Sequence, residues 1–239
     1  MKILAIDTSG EQACAAIVDD YIVVGEIALN ARTGEKSWTH SEILMPGVDQ
    51  LFALTGVAKH SIDYIAYTNG PGSFTGLRIG ASCALGLAHG LNKPSVPVPT
   101  LDTLAYNMLG TGGSGLVVPL MDARKQQVYT AIYQGEALTR TTDYMAIPVE
   151  DLIEKLKGES QIVFLGDGAT AYENILKTAL PHAIFAPQNN NRQRASSAAV
   201  WAMAQIKQGI TPPEKVEILY VRAPQAVQEL EKKQATCLQ

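Results

Sequence analysis

NGPGSFTGLRIG, residues 69–80, is the stretch of sequence that says most about the fold. A β-rich run, Ile62 to Thr68, precedes it, and a long apolar stretch follows its first four residues. Asn-Gly-Pro-Gly is typical of a turn and serine of a helix N-cap, so we predict a strand, a turn and a long helix from Ser73 to Leu91. Because glycine is unfavourable inside a helix, Gly76 and Gly80 indicate that something approaches this helix closely.

The glycines of this stretch differ from those of two common nucleotide-binding motifs. Their spacing is G-x-G-x-x-x-G, and no acidic residue ends the next strand-like segment, around Ser95 to Val98, so the dinucleotide fingerprint is disfavoured. The Walker A motif is excluded because the chain contains no Gly-Lys-Ser or Gly-Lys-Thr. The glycines are therefore interpreted as packing positions.

Small residues recur at every fourth position of the predicted helix, which places them on one of its faces. They are Gly76, Gly80, Ala84 and Ala88. Such a stripe packs either on its own lobe or on a helix of another subunit, and the residues alone leave both readings open. Arg78 lies in the first turns, where the helix dipole disfavours a cation. We therefore expect it to have a carboxylate partner, either Glu42 or a residue of another subunit.

The same order of elements, β-β-β-α-β-α, is predicted twice along the chain. The first unit adds strands Ile3 to Ile6, Ala13 to Val18 and Tyr21 to Leu29 and helix Ser41 to Leu54 to the elements given above. The second unit has strands Leu116 to Met121, Gln127 to Tyr133 and Ala137 to Tyr144, helix Val149 to Leu156, strand Gln161 to Leu165, and helices Ala169 to Ala179 and Ser196 to Gln208.

A Pro-rich connector, a short helix from Thr100 to Leu109 and a loop from Gly110 to Gly115 lie between the two units. We therefore predict an N-terminal lobe of residues 1–101, a C-terminal lobe of residues 102–223 and a short tail of residues 224–239.

The composition excludes several classes of protein. The formal net charge is −4 and charged residues make up 18% of the chain, which argues against a protein that holds a nucleic-acid backbone by itself. The three cysteines are far apart, so neither a disulfide framework nor a metal site is indicated and a reducing cytoplasm is expected. Because no signal peptide or membrane-spanning run is found, we predict a cytoplasmic protein without a membrane anchor.

Few residues match a catalytic motif. His40 has no second histidine at metal-ligand spacing, and no serine has the G-x-S-x-G surroundings of a hydrolase. Asp7 and Asp122 each end the first strand of a unit, where an aspartate either caps a turn or positions a metal or base for phosphoryl transfer. Gly166-Asp167-Gly168 lies between a strand and a helix, where backbone amides can face an anion.

Four motifs together resemble the TsaB family, which is also called YeaZ. They are LAIDTS at residues 4–9, HSE at 40–42, NGPGSFTGLRIG at 69–80 and MDARKQQVY at 121–129. Their order and spacing match the family over most of the chain. The resemblance implies a duplicated two-lobe α/β fold of the actin-like ATPase (ASKHA, ribonuclease H-like) superfamily.

The resemblance also implies a function beside TsaD, which uses threonylcarbamoyl-AMP to modify the adenosine next to the tRNA anticodon. TsaE, an ATPase, is the third partner of the family. TsaD keeps a histidine pair for its metal, whereas the corresponding region here has only His40. The chain is therefore expected to be a non-catalytic subunit without metal or cofactor, which binds TsaD, forms a homodimer when alone and meets tRNA only through the complex.

The resemblance also implies two sets of site residues, one at a protein interface and one at a nucleotide cleft. The helices of the first lobe are expected to build a helical bundle with TsaD, and the interface residues are Leu44, Val48, Leu51, Gly76, Arg78, Gly80, Ala84 and Ala88. A degenerate nucleotide cleft is expected at Asp7, Thr8, Ser9, Gly166 and Gly168.

Two other functions stay open. The first is a sugar-kinase-like phosphotransferase that uses Asp7, Thr8 and Asp122, which would require ATP turnover by the isolated chain. The second is a peptidase, for which the sequence offers no nucleophile, metal pair or carboxylate dyad.

Overall fold

A computed structural model of the protein describes residues 1–30, 32–33, 36–111, 115–213 and 216–222. The predicted tail, residues 224–239, lies outside the described residues. Within the described ranges, no helix combines the length and the apolar character that crossing a membrane requires.

The first part of the chain builds a mixed sheet with helices on it. Its elements are β1 (Lys2–Asp7), β2 (Gln12–Asp19), β3 (Ile22–Asn30), β4 (Arg32–Thr33), β5 (Lys36–Ser37), α1 (His40–Thr55), a 3-10 turn (Lys59–Ser61), β6 (Tyr64–Gly70), α2 (Phe74–Leu91), β7 (Ser95–Pro99) and α3 (Thr100–Tyr106). The sheet order is β3-β2-β1-β6-β7. β1 is antiparallel to β2, to which a short turn joins it, and parallel to β6, which is reached through α1.

The rest of the chain repeats this arrangement. Its elements are β8 (Leu116–Asp122), β9 (Gln127–Thr130), β10 (Tyr133–Gln134), β11 (Thr139–Arg140), β12 (Met145–Pro148), α4 (Val149–Leu156), β13 (Ile162–Leu165), α5 (Asp167–Ala171), α6 (Glu173–Ala179), β14 (Ile184–Phe185) and α7 (Ala195–Lys207). β8 has antiparallel neighbours, β9 and β10, on one side and the parallel strands β13 and β14 on the other. The predicted duplication is therefore present in the strand order of the two sheets.

Alternate residues of the central strands face different helices, as the two-residue period of a strand requires. In β1, Leu4 and Ile6 belong to a core shared with α1 and α2, whereas Ile3 and Ala5 belong to a core shared with α7. In β8, the even-numbered residues 116–120 pack with α4 and α6, and Val117 packs with α3. Because α3 also packs on α7, these two helices join the two halves of the molecule.

The sequence-based placement of α7 in the second unit is corrected by these contacts. Ala195, Ala198, Ala202 and Met203 of this helix are fully buried in a core with β1 and β2 of the first sheet. Helical periodicity predicts that these residues share an apolar face but not which sheet that face covers. The lobe boundaries at residues 101 and 223 stay a prediction.

Three predicted elements also differ from the structure. The strand expected at Gln127 to Tyr133 is divided into β9 and β10, the strand expected at Ala137 to Tyr144 is replaced by the short β11 and by β12, and the helix expected at Ala169 to Ala179 breaks at Tyr172 into α5 and α6. The strand-like segment in the Pro-rich connector forms β7. This strand tolerates its prolines because it is the edge of the sheet, where one row of N–H groups needs no partner strand.

Candidate functional site

Asp7 ends β1 and is fully buried. Its Oδ1 accepts hydrogen bonds from Ser9 N (2.8 Å), Ser9 Oγ (2.7 Å) and Thr68 Oγ1 (3.0 Å). Burial raises the pKa of this carboxyl, and the hydrogen bonds act in the opposite direction. The Asp7 side chain thus holds the turn that follows β1, while its Oδ2 has no hydrogen-bond partner among the described residues.

The turn after β1 packs closely against the glycine-rich stretch. Thr8 Oγ1 donates a hydrogen bond of 2.7 Å to the carbonyl oxygen of Gly76. A Cβ atom at Gly72 or Gly76 would overlap the backbone oxygen of Ser9 or Thr8, and one at Gly80 would overlap Thr8 Oγ1. The structural element that approaches the predicted helix is therefore the turn after β1 of the same chain.

Most of the predicted partner-binding residues lie inside the lobe, which corrects that prediction. Leu44, Val48 and Leu51 of α1 and Ala84 and Ala88 of α2 are at most 6% exposed and belong to one core with β1 and β2. The two stripe glycines, Gly76 and Gly80, face Thr8. The small-residue stripe is thus packing within the lobe, and its residues present no surface to another subunit.

Arg78 is the exposed member of that set, and in the described part of the chain it contacts aromatic side chains and no carboxylate. Its guanidinium carbon lies 3.7 Å from the ring centroid of Phe74, and its Nε donates a hydrogen bond of 3.3 Å to Tyr220 Oη. Glu42 closes the capping box of α1, where its Oε2 accepts from Thr39 N at 2.7 Å. The pairing of Arg78 with Glu42 is therefore not formed.

A cleft of about 540 Å³ opens where the ends of β1 and β8 face each other. From the first half it is lined by Ser9, Gly10, Glu11, His40, Gly72, Ser73 and Phe74, and from the second half by Met121, Asp122, Ala123, Arg124, Tyr129 and Asp167. Of the five predicted cleft residues, Ser9 lines this space. Asp7 and Thr8 are buried beneath it, and the two predicted glycines have another role.

Carboxylates dominate the charge of the cleft. Glu11, Asp122 and Asp167 line it together with one guanidinium, that of Arg124. Asp122 Oδ1 accepts from Arg124 N at 2.9 Å, and Asp167 Oδ1 accepts from Asp122 N at 3.2 Å and from Gly168 N at 3.0 Å. Burial raises the pKa of Asp167. Because like charges repel, this lining disfavours a free polyphosphate.

Gly166 and Gly168 serve the packing of α5 on β8, which corrects their predicted role at a nucleotide. A Cβ at Gly166, whose φ is +98°, would overlap the carbonyl oxygen of Leu120, and one at Gly168 would lie 3.0 Å from the Leu120 carbonyl carbon. The amide of Gly166 donates to Asn191 Oδ1, and that of Gly168 donates to Asp167. Both amides are therefore occupied within the protein.

His40, which has no second histidine at metal-ligand spacing in the sequence, lines the cleft at the start of α1. Its Nε2 is buried and has no hydrogen-bond partner among the described residues. The imidazole lies close enough to Asp7 to lower the pKa of that carboxyl when charged. In the part of the chain that the structure describes, no group of three or more His, Cys, Asp or Glu residues could hold a metal ion.

Residues 216–222, here called the C-terminal strap, cross from one half of the molecule to the other beside the cleft. They carry no sequence motif and are not among the predicted site residues. Leu219 N donates to Asn69 O at 2.7 Å, and Arg222 Nη1 donates to Gln127 Oε1 at 2.7 Å. Gly70 carries the sequence signal for this contact, since a Cβ there would overlap the carbonyl oxygen of Leu219. A glycine in the sequence predicts a close contact, however, and not which segment of the chain makes it.

The chain is similar to proteins of known families. A sequence model of the family described as "TsaD: tRNA N6-adenosine threonylcarbamoyltransferase" matches residues 34–233. The "tRNA threonylcarbamoyladenosine biosynthesis protein TsaB" of Bacillus subtilis is 33% identical over 198 residues, which are 80% of this chain and 83% of that protein.

Solved structures show the same fold. The structure of YeaZ from Pseudomonas aeruginosa matches with a TM-score of 0.76 and 25% identity, covering 92% of this chain and 99% of that chain. The ROK hexokinase from Thermus thermophilus matches with a TM-score of 0.52 and 12% identity over 87% of this chain and 100% of that chain, a likeness of fold alone. The predicted actin-like ATPase fold class is confirmed.

Proposed function

The chain belongs to the TsaB (YeaZ) family, and we propose that it acts in the synthesis of tRNA threonylcarbamoyladenosine as a non-catalytic partner subunit of a TsaD-type transferase. The observation that carries the proposal is the 33% identity to the Bacillus subtilis TsaB protein across 83% of that protein. The match of residues 34–233 to the TsaD family supports the idea that this chain is a degenerate copy of the transferase.

The chemistry of the cleft supports a non-catalytic role. Phosphoryl transfer needs cations and free amide donors around the phosphates, whereas Glu11, Asp122 and Asp167 line this cleft with Arg124 as their counter-charge. The amides of Gly166 and Gly168 are used inside the protein. A TsaD-type partner then supplies the catalytic site, and this chain supplies a folded surface that activates it.

The outer faces of α1 and α2 are the proposed contact with the transferase. Both helices cover the same face of the first sheet, and their inner residues are already used in its core. On the outside, Leu54 of α1 is 74% exposed, and Gly86 and Gly90 of α2 have open space beside them, which admits a second helix at short distance. Without the transferase, the same faces pair in a two-fold homodimer, because a single self-complementary patch closes under that symmetry.

The proposed roles of tRNA and TsaE rest on the charge of the chain and on its family. A chain with a net charge of −4 lacks the clustered cations that hold a phosphate backbone, so the transferase provides most of the tRNA contact. TsaE, the ATPase of the family, joins the complex of the two related chains.

Reconstitution tests this proposal. Purified chain is mixed with TsaD and TsaE of the same organism, tRNA and threonylcarbamoyl-AMP, each component is omitted in turn, and modified adenosine is measured by mass spectrometry of digested tRNA. We expect modification to require both this chain and TsaD. Equal modification without this chain would contradict the proposal, and robust ATP turnover by the isolated chain would favour a sugar-kinase-like enzyme instead.

A further inference from the structure

Phe74, Arg78 and Tyr220 form an exposed cluster at the start of α2, here called the aromatic–arginine cluster. The Arg78 guanidinium carbon lies 3.7 Å from the Phe74 ring centroid, the Phe74 and Tyr220 centroids are 5.8 Å apart, and Arg78 Nε donates to Tyr220 Oη at 3.3 Å. Phe74 and Tyr220 remain 42% and 41% exposed. Three large side chains thus hold one another in place while facing solvent.

The C-terminal strap fixes the third member of this cluster. Leu219, beside Tyr220, donates a hydrogen bond from its N–H to Asn69 O at 2.7 Å. Arg222 Nη1 donates a hydrogen bond of 2.7 Å to Gln127 Oε1 on the other half of the molecule. Tyr220 therefore lies between two residues that are held by hydrogen bonds. Because Tyr220 is already ordered before a partner binds, less of its side-chain entropy is lost on binding.

The positive charge of Arg78 has no acidic counterpart among the described residues. The first turn of α2 has no acidic residue, and no Asp or Glu side chain in the described ranges lies within 4.0 Å of this guanidinium. Arg140 offers a contrast on the second sheet. It also stacks on an aromatic ring, that of Tyr144 at 4.1 Å, but it has Asp143 at 4.0 Å. Within the described ranges, the two terminal nitrogens of Arg78 have no acidic partner, and they can form a two-pronged bond to a carboxylate.

We propose that the aromatic–arginine cluster is a docking point for a carboxylate of the partner protein, and this rests on the proposed association with a TsaD-type transferase. The carboxylate bonds to the outer edge of the Arg78 fork, and apolar groups of the partner cover Phe74 and Tyr220. Tyr and Arg are enriched among the few residues that contribute most of the binding energy of protein interfaces. A carboxylate also compensates the unfavourable position of the cation at a helix start.

A protein fits this surface better than a nucleic acid does. Binding to a phosphate backbone grows with the number of cations that contact it, and the cluster offers a single guanidinium on a chain of net charge −4. Two fixed aromatic rings beside that guanidinium instead suit an apolar protein surface with one acidic residue.

The test compares Arg78→Gln with Arg140→Gln, a matched control that also removes a stacked arginine. The dissociation constant for the TsaD of the same organism is measured by titration calorimetry at low and moderate NaCl concentration, and thermal melting checks that each variant is folded. We expect Arg78→Gln to weaken binding about 10- to 100-fold and to reduce its salt dependence. Arg140→Gln should bind as the natural chain does.

The outcomes separate this inference from the function on which it rests. If the natural chain does not bind TsaD at all, the proposed function and the docking point both fail. If it binds and folded Arg78→Gln binds within about twofold of it, at both salt concentrations, the docking point fails alone. The last measurement is fluorescence polarisation of labelled tRNA mixed with the isolated chain. If the natural chain binds tRNA and Arg78→Gln does not, the cluster binds RNA and the inference is overturned.

Discussion

The hydroxyl of Thr8 donates a hydrogen bond of 2.7 Å to the carbonyl oxygen of Gly76, and the two residues are 68 positions apart in the chain. One turn further along α2, the same hydroxyl occupies the space that a Cβ atom at Gly80 would need. The turn after β1 and the start of α2 are therefore fixed to each other at a distance that only glycine permits.

Gly80→Ala is predicted to destabilise the fold by about 1 to 3 kcal/mol, because the new methyl group forces Thr8 away from the Gly76 carbonyl. Gly86→Ala in the same helix is the matched control, measured at a protein concentration at which the chain is monomeric because Gly86 lies on the proposed contact face. It meets no atom within 4 Å, so the higher helix propensity of alanine should stabilise the protein by up to about 1 kcal/mol. Urea unfolding measures both changes.

The double variant Thr8→Ala with Gly80→Ala isolates the cause. Removing the hydroxyl makes room for the new methyl group, so the double variant should be more stable than the sum of the two single changes predicts. Strict additivity, or a Gly80→Ala variant as stable as Gly86→Ala, would show that Gly80 is not a close-contact position.

Asp7 should give the unfolding free energy a defined pH dependence. Burial raises the pKa of its carboxyl in the folded state, so between the ordinary aspartate pKa and the raised one the folded state binds more protons than the unfolded state. Stability contributed by this group is therefore present at acid pH and lost as pH rises through that window. Asp7→Asn keeps an oxygen that accepts the Ser9 and Thr68 bonds but does not titrate.

The measurement is urea unfolding of the natural chain and of Asp7→Asn between about pH 4 and pH 7, where carboxyl groups with raised pKa values titrate. The stability of Asp7→Asn relative to the natural chain should increase with pH. Asp151→Asn, at an exposed position on α4, serves as the comparison. A difference between Asp7→Asn and the natural chain that stays constant, or that shrinks, as pH rises would rule out a raised pKa at Asp7.

Asp122 is predicted to act as a structural cap of the turn after β8. Its Oδ1 accepts from Arg124 N and from Tyr172 Oη, both at 2.9 Å. Asp122→Asn retains this oxygen and should change stability little, whereas Asp122→Ala should cost about 1 to 3 kcal/mol because both donors lose their partner. ATP hydrolysis by the isolated chain should stay at background in all three proteins. An ATPase activity that Asp122→Asn abolishes in a folded protein would identify this residue as catalytic.

The C-terminal strap should couple the two halves of the molecule through Arg222 and Gln127. The Nη1 to Oε1 distance is 2.7 Å, so a double-mutant cycle with Arg222→Ala and Gln127→Ala should give a coupling of about 1 kcal/mol in urea unfolding. A second cycle pairs Arg222→Ala with Gln50→Ala on the exposed side of α1 and should give no coupling. Equal values from the two cycles would show that the strap does not bridge the halves.

The amino-acid sequence by itself determined the family, the order of the elements and the places of close packing. LAIDTS and NGPGSFTGLRIG are local signals, because the turn, the helix cap at Ser73 and the glycines inside a helix have requirements that a few neighbouring residues express. The four-residue spacing of the stripe on α2 showed that Gly76, Gly80, Ala84 and Ala88 share one face. The repeated order of strands and helices predicted the duplication, and the resemblance to the TsaB family implied the actin-like fold class.

The tertiary structure alone decided what covers each face. A smooth helix face accepts any backbone or helix, so its spacing could not distinguish a partner subunit from the Thr8 turn 68 residues earlier. For the same reason the alanine face of α7 gave no sign that it would pack on the first sheet. The surroundings of Arg78 depend on Tyr220, which is brought back by a strap without a motif. These contacts join residues far apart in the chain, and local propensity does not predict which distant segment packs against a given face.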